Sequence, residues 1–323
     1  RQVIEEISEI KKEPDWMRRI RLHAYEIFMS KPVPTWGPDL SGIDWENMTY
    51  YSSPDEVKAT KWDEVPKEIK DTFEKLGVPE MERKYLAGSI AQYDSEGIYN
   101  SLKKEWEDKG VVFMDLDSAL KRYPDLVKEY FAKAVPPSDN KFAALNVAVW
   151  SGGAFLYVPR GVHVDMPLQT YFRINGEATG QFEHTIVVAD EGSSVHYLEG
   201  CTAPIYSKDS LHAAIVEYYV MKNAHGRYTS VQNWSNSVYN MPTKRAWVEE
   251  NGNMEWVGGS LGSKVTMIYP SSYLRGRNAT TSNLNIALAG PGTVKDTGAK
   301  AIHMAPNTSS KIIAKSVSLG DGK

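Results

Sequence analysis

The run HAAIVEYYVMKNAHGRYTSVQNW, residues 212–234, decides the fold class. Val216, Tyr218 and Val220 alternate with Glu217 and Tyr219, the period of two that places neighbours on opposite faces of a strand. The run predicts two strands, 212–221 and 226–234, rich in β-branched and aromatic residues and broken by Asn and Gly. The same unit recurs on both sides. Strands are predicted at 145–150, 154–158, 168–174, 184–189, 194–199, 244–249, 254–257, 264–269, 283–288, 299–304 and 309–318, with Gly, Asn, Ser or Pro between them. No long amphipathic helix separates them, which argues against a doubly wound α/β sheet. Sandwich, barrel and β-solenoid all fit the alternation. The number of short strands favours a solenoid, although no strict repeat period is visible.

The residues before this block read differently. Residues 1–135 hold 27 of the chain's 41 acidic and 21 of its 37 basic side chains. The change falls at Pro136-Pro137, where two prolines remove two backbone donors and stiffen the chain. This predicts a helical N-terminal region, 1–135, and a mainly β core, 136–323. Helices are expected over 3–12, with Val3, Ile7 and Ile10 on one face, and from after Pro14 to about Met29, with Trp16, Ile20, His23 and Ile27 aligned. Residues 31–63 look irregular. Further helices are expected at about 65–76, 95–109 and 117–133. Ser95-Glu96 and Asp117 are candidate starts, and Gly77 and Gly110 candidate stops.

The 323 residues are 41% hydrophobic and 24% charged, with a net charge of −4 and one cysteine. A single cysteine rules out an intrachain disulfide, CxxC redox chemistry and any cysteine-rich zinc or iron–sulfur site built by one chain alone. The charge gives no footprint for nucleic acid. The longest apolar run, Phe142 to Trp150, falls far short of the roughly 20 residues of a membrane span. No signal-peptide pattern opens the sequence, so a cytoplasmic location is expected. The Asn-x-Ser/Thr triplets at Asn47, Asn233, Asn278 and Asn307 read as chance. No P-loop is present, because Gly258-Gly259-Ser260-Leu261-Gly262-Ser263-Lys264 has the wrong spacing, and there is no His-Glu-x-x-His.

The segment that bears on chemistry is Leu198-Glu199-Gly200-Cys201-Thr202-Ala203-Pro204-Ile205. It sets Cys201 at a strand end beside a glycine. A thiolate there is suited to accept sulfur, ligate a metal or be attacked by a persulfide; the same placement also suits a small buried hydrophobe. Polar residues stand on the strands around it. Arg173 and Asn175 share one strand face, Gln232 and Trp234 share another, and Glu183, His184 and Lys244 open strands. A solenoid would stack such positions into a line able to guide a charged sulfur species. His163-Val164-Asp165 places two ligand-type side chains on one face, a weak metal signal.

The sequence resembles the SufB/SufD family of the SUF iron–sulfur cluster assembly system, and within it the SufB scaffold branch. The resemblance covers nearly the whole chain. It rests on Lys12-Glu13-Pro14-Asp15-Trp16-Met17, Tyr157-Val158-Pro159-Arg160-Gly161-Val162, Leu168–Asn175, Gly180-Gln181-Phe182-Glu183-His184-Thr185, Glu199-Gly200-Cys201-Thr202-Ala203-Pro204, Val231-Gln232-Asn233-Trp234, Thr243-Lys244-Arg245-Ala246 and Pro306-Asn307-Thr308-Ser309-Ser310. It implies a right-handed parallel β-helix behind a helical N-terminal region. It implies a non-enzymatic scaffold that accepts persulfide sulfur and builds a transient iron–sulfur cluster, shared with a partner. The implied partners are a SufC-type ATPase, a SufD-type subunit or a second copy, and a cysteine desulfurase or sulfur carrier; reduced flavin is an open addition. It implies that Cys201 is the sulfur acceptor and that Arg173, Asn175, Glu183, Gln232, Trp234 and Lys244 line a sulfur path. The family's second functional cysteine, its His and acidic candidate ligands and its SufC-docking helices fall beyond Lys323. One thiolate cannot satisfy a cluster that needs about four ligands, so sharing or relay is required. The alternatives are a structural subunit of the SufD type with Cys201 as a core residue, or a carbohydrate-active β-solenoid enzyme using carboxylates such as Asp165, Glu183 and Glu199.

Overall fold

The computed structural model describes residues 1–52, 67, 71, 85–174, 178–203 and 208–323. Asn175, Pro204, Ile205 and most of the helix expected at 65–76, with Gly77, lie outside the described residues; 67 and 71 are helical.

Two helices open the chain, α1 (Gln2–Lys11) and α2 (Asp15–Ser30). Their buried faces are not the expected ones. α1 buries Ile4, Ile7, Ser8 and Lys11 and leaves Val3 and Ile10 exposed; α2 buries Met17, Arg21 and Ala24. The faces turned because charged residues took interior places. Arg21, wholly buried, donates to both Glu13 carboxylate oxygens and to the carbonyls of Ala148 and Trp150. Lys11 pairs with Asp117 and Glu96.

The helix expected at 95–109 is mostly β-structure. Strands β1 (Gly88–Tyr93) and β2 (Glu96–Leu102) form an antiparallel hairpin that turns at Asp94, whose φ of 51° Asp tolerates better than most residues. Only Lys104–Glu107 is helical. After β3 (Val112–Asp115), the helix expected at 117–133 is two helices, Leu116–Arg122 and Pro124–Tyr130. Pro124 has no N–H to continue the first. Asp115, not Asp117, caps it, accepting from the Ser118 N–H at 2.9 Å. The strand expected at 145–150 is also corrected. Lys141–Val149 is a helix, capped where Asn140 Oδ1 accepts from the Ala143 N–H. It is buried all round, so its sequence carries no amphipathic period.

From Ala154 the chain winds as a parallel β-solenoid of about five turns. The first turn is β4 (Ala154–Val158), β5 (Leu168–Arg173) and β6 (Gly180–Gln181). The second is β7 (His184–Ala189), β8 (Ser194–Thr202) and β9 (Ser210–His212). The third is β10 (Ile215–Val220), β11 (His225–Trp234) and β12 (Val238–Asn240). The fourth is β13 (Thr243–Val248), β14 (Asn253–Gly262) and β15 (Val265–Ile268). The fifth is β16 (Ser271–Leu274), β17 (Thr280–Ala289) and β18 (Val294–Thr297), and β19 (Lys300–His303) and β20 (Ser309–Ser318) follow. Each third strand stacks on its equivalent, giving three walls. β1 extends one wall beside β5, and β3 another beside β4. The expected strand 212–221 is two strands with a corner at Ala213-Ala214, and the short strands β6, β12, β16 and β18 were not anticipated.

One corner repeats chemically. Asn223, Asn251, Asn278 and Asn307 all take left-handed backbone, with φ of 57°, 55°, 61° and 60°. They stack, Asn278 donating to Asn251 and Asn251 to Asn223, each at 2.9 Å. The interior between the walls begins with an aromatic column, Tyr197 on Tyr228 and Tyr228 on Trp256, at ring distances of 5.8 and 5.2 Å.

Candidate functional site

Strand register places the site. β5, β8, β11 and β14 pair in parallel so that Phe172, Cys201, Gln232 and Ser260 form one row, and Thr170, Glu199, Ser230 and Gly258 the row two residues earlier. The side chains of both rows alternate inward with the aromatic column, and Cys201 is 1% exposed. It packs among Phe172, Ile174, Trp234 and Val238. Its Sγ donates to Glu199 Oε1 at 3.6 Å. Lys244 reaches the same oxygen from β13, at 3.2 Å, and also donates to Tyr228 Oη at 2.6 Å and Ser230 Oγ at 3.3 Å. The ammonium lies 4.6 Å from the Tyr228 ring centre.

A second polar chain lies beside the first. Glu183 pairs with His212 Nε2, and Asn240 Oδ1 accepts from His212 Nδ1 at 2.7 Å. The Asn240 amide donates to Gln232 Oε1 at 2.6 Å, and the His212 ring packs on Trp234 at 4.6 Å. Glu183 Oε2, Gln232 Nε2 and Trp234 Nε1 are buried without a hydrogen-bond partner among the described residues. Buried polar atoms are rarely left so. A cavity of about 30 Å³ adjoins the cluster, lined by Tyr228, Ser230, Gln232, Lys244, Trp256 and Ser260 among others.

The electrostatics follow from burial. Burial pushes the Cys201 thiol well above its usual range; Glu199 and Glu183 push it further, and Lys244 opposes them. For Glu199 burial pulls upward, yet Lys244, Tyr228 and His212 together hold the carboxyl below its ordinary value. For His212 burial pulls downward, but Glu183, Asn240 and Glu199 together raise it. The resting arrangement is a neutral thiol beside a buried ion pair.

Of the residues singled out from sequence, Cys201, Glu183, Gln232, Trp234 and Lys244 line the solenoid interior. Arg173 does not. It is the register partner of Thr202, on the face opposite Phe172, and its Nη1 donates to Thr202 Oγ1 at 3.3 Å. Asn175 lies outside the described residues. His163 bonds to Ser194 Oγ at 2.9 Å, and among the described residues no group of three or more His, Cys, Asp or Glu side chains is arranged to hold a metal ion. Sequence reasoning did not pick out Tyr228, His212 or Asn240 as site residues, and took Glu199 only for a carboxylate of a sugar-cleaving site. Alternation carried the missing signal for one of them: two residues before Cys201 on an inward-facing strand, Glu199 had to share its side. His212 and Asn240 needed the register of β9 with β12, which no local pattern gives.

The architecture defines a class of protein, a β-solenoid with the Cys201 thiol, Lys244, Glu183 and Glu199 sealed inside it. Residues 172–323 match the family described as SUF system FeS cluster assembly, SufBD core domain, and residues 5–170 match the SufBD protein N-terminal region. Iron-sulfur cluster assembly SufBD family proteins of Staphylococcus epidermidis and Staphylococcus haemolyticus are each 59% identical over 321 residues, and one of Staphylococcus aureus is 58% identical. Each comparison covers 99% of this chain and 69% of the relative. The chain belongs to the SufBD family of the SUF system and has a role in iron–sulfur cluster assembly. No helix among the described residues is long and apolar enough to cross a membrane.

Proposed function

We propose that the chain is a scaffold of the SufB type. Cys201 accepts sulfur from a persulfide, supplied by a cysteine desulfurase or its carrier, and passes it into a nascent cluster. The cluster is cargo, completed by ligands from a SufD-type subunit, a second copy or another part of the full protein. ATP hydrolysis belongs to a SufC-type partner, with reduced flavin as a candidate electron source and the cytoplasm as the compartment. Within the chain, residues 1–135 brace the solenoid and residues 136–323 carry the sulfur chemistry. Glu183, Gln232, Trp234 and Lys244 form the path next to Cys201, Arg173 acts nearer its outer side, and Asn175 belongs to the same path.

The observation that carries this reading is the buried polar cluster around the chain's one thiol, where Glu199, Lys244, Glu183 and His212 are paired within the solenoid. Incubation of the assembled complex with desulfurase and carrier is expected to add about 32 Da to the Cys201 peptide. A Cys201→Ser protein that loads clusters at the normal rate sinks the role.

The second reading, a structural subunit of the SufD type, draws on the burial of Cys201 and its raised thiol pKa. Rapid labelling of native Cys201 by a thiol reagent counts against it. The carbohydrate-active reading is dropped, since the chain is a SufBD protein and Glu183 and Glu199 are sealed against His212 and Lys244.

A further inference from the structure

One carboxylate oxygen in the interior has two claimants. Glu199 Oε1 accepts from the Cys201 thiol and from the Lys244 ammonium, at 3.6 and 3.2 Å. Tyr228 and Ser230 complete the ammonium's surroundings. The Glu199 and Lys244 side chains are 0% and 2% exposed, so water does not screen the group. The charges nearest the neutral thiol are the Lys244 cation and the Glu199 anion, and the buried Glu183–His212 pair also faces them. Ionising the thiol would set two anions against one cation in a medium that penalises net charge. A hydropersulfide is a stronger acid than its parent thiol, because its charge rests on a terminal sulfur bonded to another sulfur.

We propose, resting on the reading of Cys201 as sulfur acceptor, that Glu199 is the proton store of this site. At rest Glu199 is the carboxylate paired with Lys244, and Cys201 is the thiol. On loading, Cys201 Sγ attacks the outer sulfur of a donor persulfide. The new S–S bond forms as the donor's S–S bond breaks, and the donor leaves as a thiolate that takes the thiol proton. Sulfane sulfur moves with no net oxidation. The Cys201 hydropersulfide then gives its proton to Glu199 across the contact that the thiol made, and Lys244 turns from Glu199 to the persulfide anion. The site is neutral in both states, as burial requires. Glu199 is thus a positioning residue, acting through the ionisation of Cys201 and the pairing of Lys244.

The test is the pH profile of Cys201 alkylation by iodoacetamide, read on the Cys201 peptide in the full-length protein within its complex. Glu199→Gln leaves Lys244 facing the thiol with only Glu183, itself paired with His212, as a remaining anion. Its profile is expected to move down by about one pH unit or more, alkylation at neutral pH rising roughly tenfold. Glu199→Asp should restore most of the native profile, which a merely structural role would not predict. After treatment with cysteine persulfide, the native loaded form should label at lower pH than the empty form, and the gap should narrow in Glu199→Gln. A Glu199→Gln profile that is unmoved or moves upward, with native thermal unfolding, overturns the proposal. If that variant does not fold, Lys244→Met must move the empty profile upward, and any other result overturns it. Failure of the native protein to gain sulfur sinks the acceptor reading separately, since the empty-form profile still decides whether Glu199 controls the thiol.

Discussion

Two buried Asn–His–Glu chains run side by side in the solenoid, built from the same three residue types. In Asn146–His184–Glu217 every group is satisfied. Asn146 spends its amide N–H groups on the carbonyls of Glu183 and Ala213, so its Oδ1 accepts from His184 Nδ1 at 3.0 Å. His184 Nε2 lies 3.2 Å from Glu217 Oε2, and that carboxylate also accepts the Ala132 and Val135 N–H groups at 2.8 and 2.7 Å. Phe131 stacks on the imidazole at 4.3 Å. This chain is a clasp that fastens the segment before Pro136 to the β10 wall. In Asn240–His212–Glu183 the imidazole is held as tightly, yet Glu183 Oε2 and Gln232 Nε2 lack partners among the described residues. A buried polar network is stabilising when complete and costly when partial. The difference separates a fastening from a site: the unsatisfied copy is the one that reaches towards Cys201.

The comparison breaks most visibly at Glu217. Glu217→Ala strands two backbone donors and an imidazole, so a loss of roughly 3–5 kcal/mol is expected in urea unfolding. Glu183→Gln keeps the shape and one acceptor of a group already half unpaired. It should cost only about 1 kcal/mol, while sulfur on Cys201, counted by mass spectrometry in the assembled complex, falls roughly tenfold. Equal stability losses at the two glutamates would erase the distinction between clasp and site.

A smaller effect sharpens the comparison through pH. His212 has its pKa raised in the folded protein, and the groups facing it are Glu183, Glu199, Asn240 and the Trp234 ring. A folded pKa above the unfolded one gives stability that is full below the unfolded value, about 6.5, and is lost as pH rises through the folded value. The difference in unfolding free energy between native protein and His212→Gln should be largest below about pH 6.5 and shrink above it. A difference that grows with pH would mean that His212 is neutral in the fold.

These contrasts explain what could be read from sequence. Strands with alternating burial, such as β8 and β11, were legible because one face of each must meet the interior. Strand pairs hidden at corners were not, since Ala213-Ala214 interrupts no hydrophobic run. Helix faces failed where Arg21 and Lys11 went inside, because the ion partners that permit it lie on other elements. The helix Lys141–Val149 failed because total burial erases periodicity, and Glu96 failed because a helix-start residue and a hairpin residue look alike without the strand across from it. Cys201, Lys244, Gln232, Trp234 and Glu183 were legible through local motifs. Arg173 was legible as a residue and not as a direction.

The repeat is marked at one corner by Asn223, Asn251, Asn278 and Asn307, all in left-handed backbone, the first three joined by side-chain bonds. Their spacing of about 28 residues is one solenoid turn, and the interior rows carry no such repeat because site residues replace packing residues there. Asparagine belongs at these rungs for two reasons: its short polar side chain tolerates left-handed backbone, and its amide bonds to the rung above. Asn251→Ala loses both, and about 1–2 kcal/mol is expected in urea unfolding. Asn251→Gly keeps the backbone freedom and loses only its two exposed ladder bonds, so it should cost less, about 0.5–1 kcal/mol. If the alanine and glycine variants are equally stable, the ladder bond and not the left-handed turn is what fixes asparagine at the corner, and the turn geometry sets no demand of its own.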